Sequence, residues 1–332
     1  MNQKVESMLH LFAENHQNIR NEFVWQEPMA KRLAALAYAM AGQSLNADAL
    51  KKHHQMIKSE VGAFSSFRGM LSVYVAAALS LSQEPEVLLE NTLYVYELLK
   101  EQGFWRNDYL VISAFEIASN ENKIDFERTT QRAKDFYDAM KSNHRFQISS
   151  DDYIFAAMLA LTDMDVIVGA EKVKAIYDRL RGEFSLFTSK NSLVTLAQML
   201  ALGGSTEYCA DKVSQLNREL RARKIKLDKT YTLPSLGVLS LLTMDPCDLA
   251  SELNASTEFL RLQKGLGALS VSIQELQLYA VSLMVHAHKG DEQAGITKAG
   301  VTTSVTNLLI AQQVALIASM SAMSAAASAG GC

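Results

Sequence analysis

YIFAAMLALT, residues 153–162, is an almost uncharged run of apolar and small residues, and the chain repeats its pattern. YVAAALSLS (74–82) and LAQMLALGG (196–204) match it closely. LAALAYAMAG (33–42), LVISAFEIAS (110–119), LGVLSLL (236–242) and LYAVSLM (278–284) match it more loosely. Aligned, the runs place one apolar residue at Met40, Leu81, Ile117, Leu161, Leu202, Leu241 and Leu283, between 36 and 44 residues apart.

Self-similarity at a fixed period identifies a repeat architecture. A more charged segment follows each of the first six runs: LKKHHQMIKSE, NTLYVYELLKE, QRAKDFYDAMK, EKVKAIYDRLR, DKVSQLNRELR and NASTEFLRLQK. Val173, Ile176, Tyr177 and Leu180 show its spacing, three and four apart, which puts them on one stripe of a helix. Ile57, Tyr96, Tyr137, Tyr177, Asn217 and Phe259 mark a common position in these segments. Phe64, Phe104, Phe146, Phe187, Leu227 and Leu269 mark the turn that follows each one and are expected to pin one hairpin to the next.

Three marks at one period predict an all-α chain, an α-solenoid of about seven helical hairpins with a period near 40 residues. The first helix of each hairpin is Ala-rich and enclosed by neighbours; the second is amphipathic. Ser65 and Ser66, Asn107 and Asp108, Ser149 and Ser150, Ser189, Asp228 and Ser270 are placed to cap the first helices. The array covers 1–285. Residues 286–304 form a Gly- and Thr-rich connector, and 305–332 an Ala- and Ser-rich apolar helix and tail.

Composition agrees. The 332 residues are 48% hydrophobic and 20% charged with four prolines, too little punctuation for a barrel or sandwich of short strands. A net charge of −4 argues against a DNA or general polyanion binder. Cys209, Cys247 and Cys332 have no C-x-x-C spacing and read as thiols of a reducing compartment. The charged start, MNQKVESMLHLFAENHQNIR, is no signal peptide, so the expected location is cytoplasmic.

Motifs for chemistry are weak. His286-Ala-His288 with Asp291 and Glu292 has metal-ligand residue types, but i and i+2 on a helix lie about 200° apart and do not converge. His53 and His54 read as surface residues of a second helix. Gly290 to Thr297 has the glycine spacing of a phosphate loop without its lysine or its preceding strand. Asp151 and Asp152 read as helix-start residues. No motif calls for a cofactor or metal, and no catalytic set is visible.

FYDAMKSNHRFQISSDDYIFAAMLAL resembles the helix–turn–helix run of pentatricopeptide RNA readers, which read bases with polar residues early in the first helix. Here Leu110, Val111, Ile154, Phe155, Leu193 and Val194 are apolar, against RNA binding. EQGFWRNDYL (101–110) is the most surface-like segment. Trp105, Arg106 and Asp108 stand in or beside an inter-hairpin turn, and Arg68 occupies a related place one repeat earlier. Trp and Arg are enriched at binding hot spots. These four residues are the candidate partner-binding set, and a scaffold binding a protein or peptide on a concave face is the expected function. The alternatives are an enzyme whose site is assembled from distant repeats, or an RNA-binding repeat protein.

The segments GFWRNDYLVISAF and FRGMLSVYVAAA resemble family four thousand and three of the domain-of-unknown-function series, from Gram-positive bacteria. The likeness runs from LAALAYAMAG to about residue 290. It implies a bacterial, cytosolic, helical protein and supplies no activity, cofactor or catalytic residue.

Leu308–Ala329 is long enough to cross a bilayer. Gln312, Gln313 and four serines interrupt it, and no Lys or Arg flanks its far end. The expectation is instead a helix whose stripe of Val305, Leu308, Leu309, Leu316, Met320 and Met323 caps the array or pairs two copies into a homo-oligomer.

Overall fold

The computed structural model describes residues 1–63, 65–69, 71–120, 124–143, 147–184, 190–202, 206–228 and 232–288, with the backbone alone at 206–209. The described residues form fourteen α-helices and short 3-10 turns, with no strand among them. After α1 (Gln3–Ile19), the helices alternate in the predicted manner. The first helices are α2 (Pro28–Met40), α4 (Ser72–Leu81), α6 (Asp108–Ala118), α8 (Tyr153–Ala160), α10 (Lys190–Ala201), α12 (Leu233–Ser240) and α14 (Ile273–His288). The second helices are α3 (Ala47–Glu60), α5 (Pro85–Glu101), α7 (Phe126–Asn143), α9 (Val166–Arg181), α11 (Thr206–Ala222) and α13 (Pro246–Arg261).

The two classes bury differently, as their sequences dictate. Every residue of α8 is buried, because an apolar helix without a polar stripe is stable only when enclosed. α9 buries a stripe of Gly169, Ala170, Val173, Ile176, Tyr177 and Leu180 and, Lys172 apart, leaves its charges in water. Of the second-helix marks, Ile57, Tyr96, Tyr137 and Tyr177 are buried, while Asn217 and Phe259 are half-buried.

The chain forms two compact units, Met1–Gln131 with Ala255–Ala287, and Arg132–Asn254 with His288–Cys332. In the second unit α10 packs on α8 and α12, α9 on α11, and α9 and α11 each on the first helix that follows. Gly237 permits this close approach: a Cβ there would lie 2.6 Å from Leu196 Cδ1.

A recurring clamp fastens these pairs. The last carbonyls of a helix have no partner within it. Arg132 of α7 donates to Ala160 O at the end of α8 and to Thr162 O and Met164 O in the turn after it, at 3.3, 3.0 and 2.9 Å. Lys172 of α9 donates to Ala201 O of α10 at 2.7 Å, and Lys212 of α11 to Leu242 O after α12. These cations stand 40 residues apart, and at the next step Glu252 of α13 instead meets His288 Nε2, the end of α14, at 2.7 Å. The second helices start on a similar rhythm. The side chains of Asn46, Asp125, Asp165 and Asp245 each accept from backbone amides at the starts of α3, α7, α9 and α13.

In the first unit α2 packs on α4, and α3 and α5 each on the next first helix. This unit also brings the two ends of the repeat series together. Val5, Leu9, Phe12 and Ile19 of α1 are fully buried, a stripe within the charged start of the chain. The Phe12 ring lies 5.1 Å from that of Tyr279 in α14, and His10 meets Phe259 edge-on at 4.6 Å. Arg32 of α2 donates to Glu275 Oε1 at 2.7 Å, an oxygen that also accepts from Tyr279 OH at 2.5 Å. Asn15 takes Leu45 N at 2.7 Å and donates to Gln43 O at 3.0 Å. α1 thus lies beside α14 and α2, where a second helix would stand. The segment expected to cap the array, 305–328, lies outside the described residues.

Three further expectations are corrected. His53 and His54 are buried: His53 Nδ1 lies 2.8 Å from Ala49 O, and His54 Nε2 lies 3.2 Å from Ser72 Oγ. Leu269 is fully exposed, and its neighbours Leu266 and Val271 fill the core instead, because Gly265 at φ +81° redirects the turn. Ser272, not Ser270, caps α14, accepting from Glu275 N. Among the other turn marks Phe104 and Leu227 are buried; Phe64, Phe146 and Phe187 lie outside the described residues.

Candidate binding surface

The α5–α6 turn is built from both sides. α5 ends when Gly103 takes φ +88°, a left-handed conformation that costs glycine little, while Phe104 N bonds back to Leu99 O at 3.2 Å. Phe104 turns into the core. Three residues later Asn107 caps α6 by accepting from Leu110 N at 2.9 Å. Between the two anchors Trp105 and Arg106 are held outward, with Trp105 80% exposed.

The other two sequence candidates have structural duties. Arg68 turns back onto the end of α3, donating to Val61 O at 2.9 Å and to Lys58 O. Asp108 opens α6, and its Oδ1 lies 2.9 Å from the place a Cβ on Gly69 would take. Burial raises its carboxyl above the usual range. The structure therefore brings Arg68–Gly69 and Asp108 together and leaves Trp105 and Arg106 facing solvent.

A second exposed tip was missed in the sequence. Gln26 N bonds to Phe23 O at 2.8 Å, closing a turn with Val24 and Trp25 at its corners, 75% and 98% exposed. Phe23 holds φ +49°, and its ring meets His54 at 5.2 Å. The pattern is that of the α5–α6 turn: a Phe anchors inward and a following Trp projects. The signal was present as EFVWQEP beside QGFWRND. Both tryptophans of the chain stand on such turns, although Trp is normally among the more buried residues. Leu262 and Leu269 add exposed apolar side chains in the α13–α14 turn.

Elsewhere the chemistry is dispersed. Glu116 of α6 is fully buried with neither carboxylate oxygen hydrogen-bonded, and burial pushes it up to about 8. Asp152 of the second unit is also pushed up to about 8, first by burial and then by Asp151; it accepts from Ser149 N at 2.8 Å in a capping box that starts the 3-10 turn leading into α8. That geometry matches the helix-start reading of Asp151 and Asp152. Cys247, exposed in the first turn of α13, accepts from Arg223 Nη2 at 2.9 Å. Beside it Asp211, Lys212, Gln215 and the Thr243–Pro246 turn line a surface depression of ≈ 280 Å³. No group of three or more metal-ligating side chains occurs among the described residues. His288 is paired with Glu252, and Asp291, Glu292 and the Gly290–Thr297 loop lie outside the described residues. No helix among the described residues is long and apolar enough to cross a membrane.

The model of one family, described as a protein of unknown function (DUF4003), matches residues 15–314. The chain belongs to the DUF4003 family. The match takes in α2–α14, both exposed tryptophans and only the last five residues of α1, 15–19. No curated protein and no solved structure matches this DUF4003 member significantly.

Proposed function

We propose that this DUF4003 protein is a non-catalytic helical-repeat scaffold of the cytoplasm, a solenoid of stacked hairpins that binds a protein or peptide partner. The observation that carries the reading is the exposure of Trp105 beside Arg106, held out between the inward anchor Phe104 and the cap Asn107. Exposed aromatic and Arg side chains on a rigid base bind without loss of order and are the residue types of binding hot spots. This moves the contact surface from the concave face expected from repeats to the inter-hairpin turns, with Trp25 as a second anchor.

The test is co-purification from the native cell with wild-type protein, Trp105→Ala, and Ile167→Ala as a control on another exposed apolar residue. A stoichiometric partner retained by wild type and Ile167→Ala, and bound about 30-fold more weakly by Trp105→Ala, supports the reading. A partner indifferent to Trp105 and Arg106, or a copurifying small molecule with turnover, replaces it.

A further inference from the structure

We infer that α1 is a releasable closing helix over α14, and that an uncharged His16 decides whether it stays docked. Three observations converge. First, α1 reaches α13, α14 and the turn between them through its side chains: Phe12 on Tyr279, His10 on Phe259, and the Gln17 amide on Lys264 O. Its covalent tie to α2 is the Arg20–Glu27 segment, which Lys31 steadies by donating to Arg20 O at 3.0 Å and Glu22 O at 3.2 Å. Second, His16 is 6% exposed at this contact, and a Cβ on Gly265 would lie 2.9 Å from its Cε1.

Third, the charged groups facing His16 are cations. Arg20 caps the end of its own helix, and Lys31 and Arg32 come from α2. From α14, Glu275 and Tyr279 are turned to Arg32, so they do not serve the imidazole. From the α13–α14 turn come Gly265 and the Lys264 carbonyl, which the Gln17 amide occupies. A proton on His16 would therefore be both dehydrated and placed among like charges; burial first, then Arg32, Arg20 and Lys31, lower its pKa from 6.5 to about 4.

Release hydrates the ring and restores its ordinary basicity, so acid favours the open form. The preference for the docked helix is complete above the free value and is lost as pH falls from 6.5 towards 4. Opening uncovers the Tyr279 face of α14 and the Arg32–Glu275 pair. The opening constant should rise about 30-fold between pH 8 and pH 5.

Hydrogen exchange on the full chain tests this, corrected for the intrinsic pH dependence of exchange, with α4 as internal reference. The expected result is an acid-dependent loss of protection of about 30-fold in residues 3–19 without a matching loss in α4. The loss should vanish in His16→Gln. Arg20→Gln, which removes a cation at an exposed site, should shrink it. A parallel loss in α4, persistence in His16→Gln, or an unchanged loss in Arg20→Gln overturns the inference.

Discussion

Glu116→Gln converts the unpaired carboxyl of α6 into a measurable stability difference. Glu116 is 1% exposed, and neither of its oxygens has a hydrogen-bond partner. Asn120 Nδ2 bonds the backbone carbonyl of Glu116 instead, at 2.9 Å. Burial raises its pKa from 4.5 to about 8, so the folded protein holds a neutral acid at pH 7 while the unfolded chain ionises. The folded state then binds more protons, and stability falls as pH rises from 4.5 to about 8.

At pH 7 that loss amounts to about 3 kcal/mol, and at pH 4.5 to about 0.4 kcal/mol. Glutamine has nearly the same shape and cannot ionise. Its stability relative to wild type should therefore improve by about 3 kcal/mol between pH 4.5 and pH 7, whatever fixed cost the amide itself carries. Urea unfolding of both proteins at the two pH values measures this directly, since other titrating groups cancel in the difference. Parallel pH profiles for wild type and variant would refute the reasoning, because they would require a partnered or hydrated carboxylate.

The clamps and the packing glycine give two further tests by urea unfolding. Arg132→Met strips donors from three carbonyls at the end of α8 and in the turn after it and should cost about 2–3 kcal/mol; Lys172→Met strips one at the end of α10 and should cost about 1 kcal/mol. An equal or reversed order contradicts the clamp. Gly237→Ala should cost about 1–3 kcal/mol, because the Leu196 methyl 2.6 Å from the new Cβ must move. Gly62→Ala, with nothing within 4 Å, should change stability by less than about 0.5 kcal/mol, and similar losses for both would place Gly237 away from the α10–α12 contact.

The enclosed or amphipathic class of the helices after α1 was readable in the sequence, because it depends on local period. Uncharged runs such as YIFAAMLALT can persist only enclosed, and stripes such as Val173, Ile176, Tyr177 and Leu180 need one covered side. The Trp105 turn was also legible, since Gly103, Phe104 and Asn107 act within a few residues. The clamp of Arg132, Lys172 and Lys212 was written at a strict spacing. A cation on an amphipathic helix reads as solvated until the carbonyls it meets, about 30 residues on, are known.

What the tertiary structure alone decided involves partners far away in the chain. α1 carries no mark of the repeat, and its stripe is covered by α14, some 260 residues later, where Phe12 meets Tyr279. His53 and His54 have the polarity of surface residues and are buried, His54 against Ser72 of another helix. Glu116 reads as an ordinary acid and becomes an unpaired buried one only through what encloses α6. Period is a property of neighbours in sequence, whereas burial and charge environment are set by neighbours in space. The sequence therefore determined which helices form, and only the packing decided which of their polar groups are forced out of water.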